Sequence, residues 1–200
     1  MQVFTRIACF GVAVSLAACG LPESSPEQDS LAEQREGLTT ATFQGCTYSI
    51  SYTQIPMPYP PVDAISLTRQ ASASCPYPAA SVELGRSYNT PFIGIIATQV
   101  GLAAAFSFKG SPSGSANTQC RVIHIDPATL GDVRRDAIVV NFGAGNVTSC
   151  NLDQTDAGTT LVAYGKKTGP LPGETGSGSN YVATYFNFFT STTPAVYYAY

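Results

Sequence analysis

From residue 38 to the carboxyl terminus, hydrophobic positions alternate with polar ones or gather into short apolar runs, at 42–53, 64–74, 92–108, 120–125, 137–142, 159–164, 181–190 and 195–200. β-Branched and aromatic residues dominate these runs, and such side chains fit a pleated, half-buried surface. Between them stand Pro56 to Pro61, Pro76-Tyr77-Pro78, Gly110 to Asn117 and the Gly/Pro/Ser stretch Gly165 to Asn180, which read as turns and loops. Short strands punctuated in this way predict an all-β domain over 38–200, an antiparallel sandwich of about eight strands. Helix is confined to one candidate turn from Asp126-Pro127 to Arg135. Val100 to Ala105 pulls both ways, because Ala103, Ala104 and Ala105 favour helix while the flanking Phe and Ile favour strand, and it is assigned to strand.

The first residues follow a different pattern. Arg6 gives a short basic start, Ile7 to Ala18 are almost wholly apolar, and Leu16-Ala17-Ala18-Cys19 follows. An apolar run of about a dozen residues is shorter than the roughly 20 a spanning helix needs, so it reads as a signal segment that is removed. Ala17 and Ala18 supply the small residues a signal peptidase requires, and Cys19 places a thiol at the new amino terminus. The tetrapeptide resembles the lipobox of bacterial lipoprotein precursors. That resemblance covers residues 1–19 only and implies a lipoprotein signal peptide over 1–18, diacylglycerol on the Cys19 sulfur, and a further acyl chain on its amino group. Two or more such chains give stable anchoring, since each buried methylene contributes about 0.8 kcal/mol. Gly20, rather than the Asp that marks inner-membrane retention in enteric bacteria, points the lipidated chain to the outer membrane, on its periplasmic or surface face.

Residues 19–37 read as an acidic tether. Glu23, Glu27, Asp29, Glu33 and Glu36 stand against Arg35, with few apolar side chains to bury. Ser25, Pro26 and Gln28 could start a brief helix that Gly37 stops, though so short a helix is marginal alone. This segment also explains the chain's net charge of -3, because the basic and acidic residues beyond position 37 cancel. The domain is thus electroneutral and charge-poor: 12% of the chain is charged, where about 25% is usual. Nothing here attracts nucleic acid, which needs clustered Lys and Arg.

Of the six cysteines, Cys9 leaves with the signal and Cys19 is acylated, so Cys46, Cys75, Cys120 and Cys150 remain in an oxidising compartment. Four cysteines allow three pairings. Spacing favours Cys46 with Cys75 and Cys120 with Cys150, which lie 29 and 30 residues apart. Each pair also brackets Asp-Ala-Ile and ends on Ser-Cys: Asp63-Ala64-Ile65 with Ser74-Cys75, and Asp136-Ala137-Ile138 with Ser149-Cys150. The pattern suggests an internal repeat, 42-115 and 116-200, against which stands chance agreement among common residues. In such a unit a strand, a loop and a returning antiparallel strand would bring the two cysteines together. Zinc, the other use of four cysteines, lacks a Cys-x-x-Cys pair to begin a site.

Catalytic and cofactor signals are sparse. His124 is the sole histidine, and in Val122-Ile123-His124-Ile125-Asp126 alternation sets it on one strand face with Val122 and Asp126. A hydrolase using His124 is one alternative reading, but no Gly-x-Ser-x-Gly elbow or Ser-x-x-Lys selects a nucleophile. Asn151 to Gly158, with Asp153 and Asp156, is oxygen-rich but lacks the order of a calcium loop and reads as a solvated hairpin turn. No Gly-rich phosphate loop is present, and Asn146-Val147-Thr148 matches a glycosylation acceptor by pattern alone. The reading is therefore non-enzymatic, with no cofactor and no metal.

Aromatic residues remain: 11 Tyr and 10 Phe without a Trp. Tyr59 and Tyr77 beside prolines, and Tyr197, Tyr198 and Tyr200 at the end, form a candidate binding rim, since Tyr offers contact area at small entropic cost. Core packing is the competing use of the same residues. Tyr198-Ala199-Tyr200 also resembles the aromatic ending of outer-membrane barrel proteins, which implies a small outer-membrane β-barrel as a second alternative. The leading expectation is a lipid-anchored envelope protein whose disulfide-stapled β-domain binds an envelope or surface partner or serves an envelope assembly.

Overall fold

In a computed structural model, residues 39–56, 59–143 and 149–200 are described. The signal segment 1–18, the tether 19–37 with Cys19, and the Asn146 acceptor pattern lie outside the described residues. Among the described residues none lies in a helix long and apolar enough to cross a membrane, which says nothing of strands. The domain is nearly all β. Thirteen strands are described: β1 (Thr40–Phe43), β2 (Cys46–Ile55), β3 (Val62–Arg69), β4 (Ala80–Ser87), β5 (Ile93–Ala97), β6 (Leu102–Lys109), β7 (Thr118–Ile125), β8 (Asp132–Asn141), β9 (Asn151–Thr155), β10 (Thr160–Lys166), β11 (Thr175–Gly176), β12 (Asn180–Tyr185) and β13 (Val196–Ala199).

They form three open sheets: A in the order β1-β2-β3-β4, B in the order β5-β6-β7-β8, and C in the order β11-β13-β12-β10-β9. Pairing is antiparallel except for the short β11 beside β13. Sheet B is the middle layer, because alternate residues of its strands enter different cores. Leu102, Ala104, Phe106, Ile123 and Ile125 pack with Tyr48, Ile50, Ile65 and Leu67 of sheet A. Ala103, Ala105, Cys120 and Val122 pack with Leu161, Ala163, Tyr181 and Tyr185 of sheet C. A strand covered on both faces must be apolar at nearly every position, which is why 102–108 reads as Leu-Ala-Ala-Ala-Phe-Ser-Phe. The three alanines that argued for helix are small because two sheets approach this strand from either side.

The strand count exceeds the expected eight or so for two reasons. Runs 42–53 and 92–108 are each two strands, divided by turns at Gln44-Gly45 and at Thr98 to Gly101, where the Thr98 amide bonds the Gly101 carbonyl at 2.9 Å. In addition, β4, β9 and β11 come from polar stretches that carry little strand signal of their own. The expected helical turn after Asp126 is a correction: Asp126 caps a tight turn through the amides of Ala128 and Thr129, at 2.9 and 2.8 Å, and the chain then enters β8. The turn goes no further because Leu130 takes a left-handed φ of 61° and the Asp126 amide donates to the Gly131 carbonyl at 2.9 Å, which closes a β7–β8 hairpin in place of a helix.

Both disulfides form as the spacing predicts, Cys46 with Cys75 and Cys120 with Cys150. Their settings differ. Cys46 opens β2 and Cys75 lies in the β3–β4 loop, so the first bridge stays within sheet A. Cys120 sits inside β7, opposite Ile138, and Cys150 immediately precedes β9, so the second ties sheet B to sheet C. Both bracketed stretches hold a strand and its antiparallel return, β2–β3 and β7–β8, but only in the first, where Tyr48 lies opposite Arg69, does the return lead the chain back to the first cysteine; Cys150 meets Cys120 from beside β9. The supposed boundary between 42-115 and 116-200 falls in the β6–β7 hairpin. One feature is shared: a glycine lies under the serine carbonyl before the second cysteine. A side-chain carbon on Gly45 would stand 2.2 Å from the Ser74 oxygen, and one on Gly165 would stand 2.1 Å from the Ser149 oxygen.

Candidate functional site: two outer sheet faces and a cleft

The stack leaves two sheet faces toward solvent, the outer faces of A and C. On sheet A the register aligns Thr40, Ser49, Thr68 and Ser81 in one row across all four strands, with Ser51 and Ser66 in the next. The Thr68 and Ser81 hydroxyls are 3.1 Å apart. This face carries short hydroxyls and, on β4 at its edge, the exposed Arg86–Glu83 ion pair, so it is well hydrated and has little apolar area to offer a partner.

Sheet C has the opposite character. In β10, β12 and β13 the residues Leu161, Ala163, Tyr181, Ala183, Tyr185, Tyr197 and Ala199 point inward, which turns Val162, Tyr164, Val182, Val196 and Tyr198 outward. The register makes Tyr198–Val182–Tyr164 one row and Val196–Thr184–Val162–Asp153 the next. A third row holds Tyr200, Asn180 and Lys166, with the Asn180 and Tyr200 backbones paired at 3.1 and 3.2 Å. Val196, Tyr198 and Tyr200 are 56%, 52% and 55% exposed, and the last two rings stack with centroids 6.4 Å apart.

The five expected rim tyrosines thus divide. Tyr198 and Tyr200 share the outer face of sheet C, whereas Tyr197 points inward and burial raises the pKa of its hydroxyl. Tyr59 is 87% exposed in the loop after β2. Tyr77 is half-buried at the other end of that strand, where its hydroxyl is 3.1 Å from Gln44 Oε1 and its ring lies under the Arg69 guanidinium at 5.2 Å. Ten residues of β2 separate those two positions. Tyr164 and Val182 complete the sheet C row and were not singled out from sequence; strand parity would have turned each outward, but only the register joins them.

His124 lies on the sheet C side of β7, as alternation predicts. Its ring meets Phe189 edge-on at 5.0 Å and Phe188 at 6.2 Å, and its cross-strand neighbour is Arg134. Burial is the main cause that holds its pKa below the usual histidine value, with Arg134 adding to the effect and Asp126 opposing it. The Asp126 carboxylate is occupied by Ala128 and Thr129, and among the described residues no hydrogen bond joins His124 to a hydroxyl. Arg134 itself donates to the Ser191 and Thr193 carbonyls, at 2.7 and 2.8 Å, and lies over the Phe188 ring at 4.8 Å, so it fastens the β12–β13 loop.

A polar cleft of about 430 Å³ opens between the β5–β6 turn (Thr98, Gln99) and the β9–β10 turn (Gln154 to Gly158). Asp156 and Ala157 adopt left-handed φ of 53° and 54° there, as tight hairpin turns demand. The solvated hairpin expected around Asp156 is present, although Asn151–Thr155 before it is strand. No three of His, Cys, Asp and Glu converge on a metal-sized site among the described residues. Comparisons with protein-family models, with curated proteins and with solved structures gave no match for this chain.

Proposed function

We propose that the chain is a lipid-anchored protein of the bacterial envelope, held through Cys19 at the outer membrane, whose β-domain binds a protein partner without catalysing a reaction. The observation that carries the binding half is the outer face of sheet C, where Tyr164, Val182, Val196, Tyr198 and Tyr200 lie in register with half or more of Val196, Tyr198 and Tyr200 open to water. An aromatic and aliphatic patch on a rigid sheet has the composition of an interface core, and the tyrosines add little ordering cost on binding. The hydroxyl face of sheet A, built by the same chain on the opposite side of the stack, supplies the contrast. Lipobox, apolar leader and acidic tether support the anchoring half.

His124 favours this reading over a hydrolase, because its ring neighbours are two phenylalanines and Asp126, the acid two residues along the strand, is spent on a turn. The three open sheets likewise favour a tethered domain over a barrel. Both halves are testable together in intact cells. Cys19→Ala should abolish acyl labelling and release the chain on carbonate washing. Tyr164→Ser/Tyr198→Ser should leave anchoring unchanged and remove capture of the partner; capture that survives the double substitution overturns the assignment of this face.

A further inference from the structure

Resting on the reading of sheet C as a protein-binding face, we propose that its occupant is a second copy of the same chain, related by a two-fold axis that runs across the strands along the Tyr198–Val182–Tyr164 row. Charge is what selects this arrangement. Lys166 is one step along β10 from that row on one side, and Asp153 lies one step away on the other, in the adjacent β9. The ion pairs among the described residues join Arg86 to Glu83, Arg134 to Asp136, Arg135 to Asp132 and Lys167 to Glu174, and leave Lys166 and Asp153 without an ionic partner. Among the described residues the Asp153 carboxylate accepts only from the amide of Gln154, at 2.8 Å.

Rotation about the proposed axis lays the central row on its own copy and places each Lys166 over the Val162 position of the other molecule, one strand from Asp153. Stacked sheets lie about 10 Å apart and strands about 4.8 Å apart, a gap that extended Lys and Asp side chains close. The operation produces the pair twice, as an isologous interface requires. A two-fold axis along the strands would instead set Lys166 over Tyr200 and leave both charges unpaired. Self-complementarity of this kind identifies a second copy rather than an unrelated protein, which would need only one of the two charges matched.

The test is sedimentation velocity of the full-length acylated chain in mild detergent, with thermal unfolding of each variant as the folding control. The wild type should sediment as a dimer at about 50 µM; Lys166→Asp and Asp153→Lys should each weaken self-association at least about tenfold, and the swap Lys166→Asp/Asp153→Lys should restore it. A monomeric wild type, single variants that stay dimeric, or a swap that fails to restore the dimer overturns the proposal. A photo-reactive residue in place of Tyr198 in intact cells separates this failure from that of the underlying reading. An adduct with a different protein in a chain that is monomeric in solution overturns the second-copy assignment and keeps the face as a binding surface, whereas no adduct at all removes both.

Discussion

Sheets A and C enclose the same central sheet and are built on the same alternation, yet their outer faces are chemically opposed. Sheet A turns Thr40, Ser49, Thr68 and Ser81 outward in one row, and sheet C turns out Tyr198, Val182 and Tyr164. Inside, both pack apolar side chains against β6 and β7. Folding requires only the inner halves of these patterns; it is indifferent to what faces water as long as the surface stays soluble. The hydroxyl face is what an outer sheet looks like when it has no other task, and the aromatic face departs from it at an exposure cost that stability does not explain.

The faces also rest on different fasteners, and removing these gives the largest expected effects. Beneath sheet A, the buried Arg69 donates to the Pro78 carbonyl at 2.8 Å and to the Pro127 and Ala128 carbonyls, so one side chain joins β3 to two loops. Arg69→Ala removes the guanidinium from the Pro78 and Ala128 carbonyls and leaves Pro127 only the Tyr48 hydroxyl at 3.2 Å, and should cost about 3 to 5 kcal/mol in urea unfolding, while the folded fraction keeps its sheet C interface. A loss under about 1 kcal/mol would show that these bonds carry no net weight.

Beneath sheet C the fastener is the Cys120–Cys150 bridge. Cys120→Ser/Cys150→Ser should cost about 3 to 4 kcal/mol from loop closure alone. It should also loosen sheet C from sheet B, so that partner capture falls with stability. The corresponding change at Cys46 and Cys75, which closes a loop of similar length within sheet A, should cost stability and leave capture intact. Equal loss of capture in both variants would contradict the assignment of binding to sheet C.

A smaller effect is expected with pH. His124 has its pKa depressed in the folded protein, chiefly by burial, so the unfolded chain takes up a proton first as pH falls. Stability should therefore decline as pH drops through the ordinary histidine value of about 6.5 and on toward the depressed folded value. His124→Gln should flatten the stability profile between about pH 7.5 and 5.5, a comparison that chemical denaturation at each pH makes directly. An unchanged slope would mean the imidazole is as free in the fold as out of it. The smallest effect belongs to the hydroxyl face, where Thr68→Val should alter stability by no more than about 0.5 kcal/mol and capture not at all.

How much of this was legible in the sequence follows from which forces are local. Alternation shows which residues of β2, β7 and β12 share a face, and the doubly buried β6 shows itself as a run that is apolar from Leu102 to Phe106. Edge strands do not announce themselves in this way. β4 carries Glu83 and Arg86, and β9 is Asn-Leu-Asp-Gln-Thr; each becomes a strand because a neighbour offers a ladder of hydrogen bonds, not because its residues prefer one. The disulfide pairing was readable from spacing, although the reason offered for it holds in only one of the bridges. Of the aromatic face, Tyr198 and Tyr200 stood out through their clustering, whereas Tyr164 lies far away in the chain and joins them only through the register of β10, β12 and β13.

Sheets A and C differ in what they show to solvent, and one measurement addresses that difference directly. A photo-reactive amino acid is placed at position 198 in one strain and at position 49 in another, and both are irradiated in intact cells. Position 198 should yield an adduct of twice the chain's mass and position 49 none; adducts from position 49, or from both faces alike, would contradict the assignment of binding to sheet C.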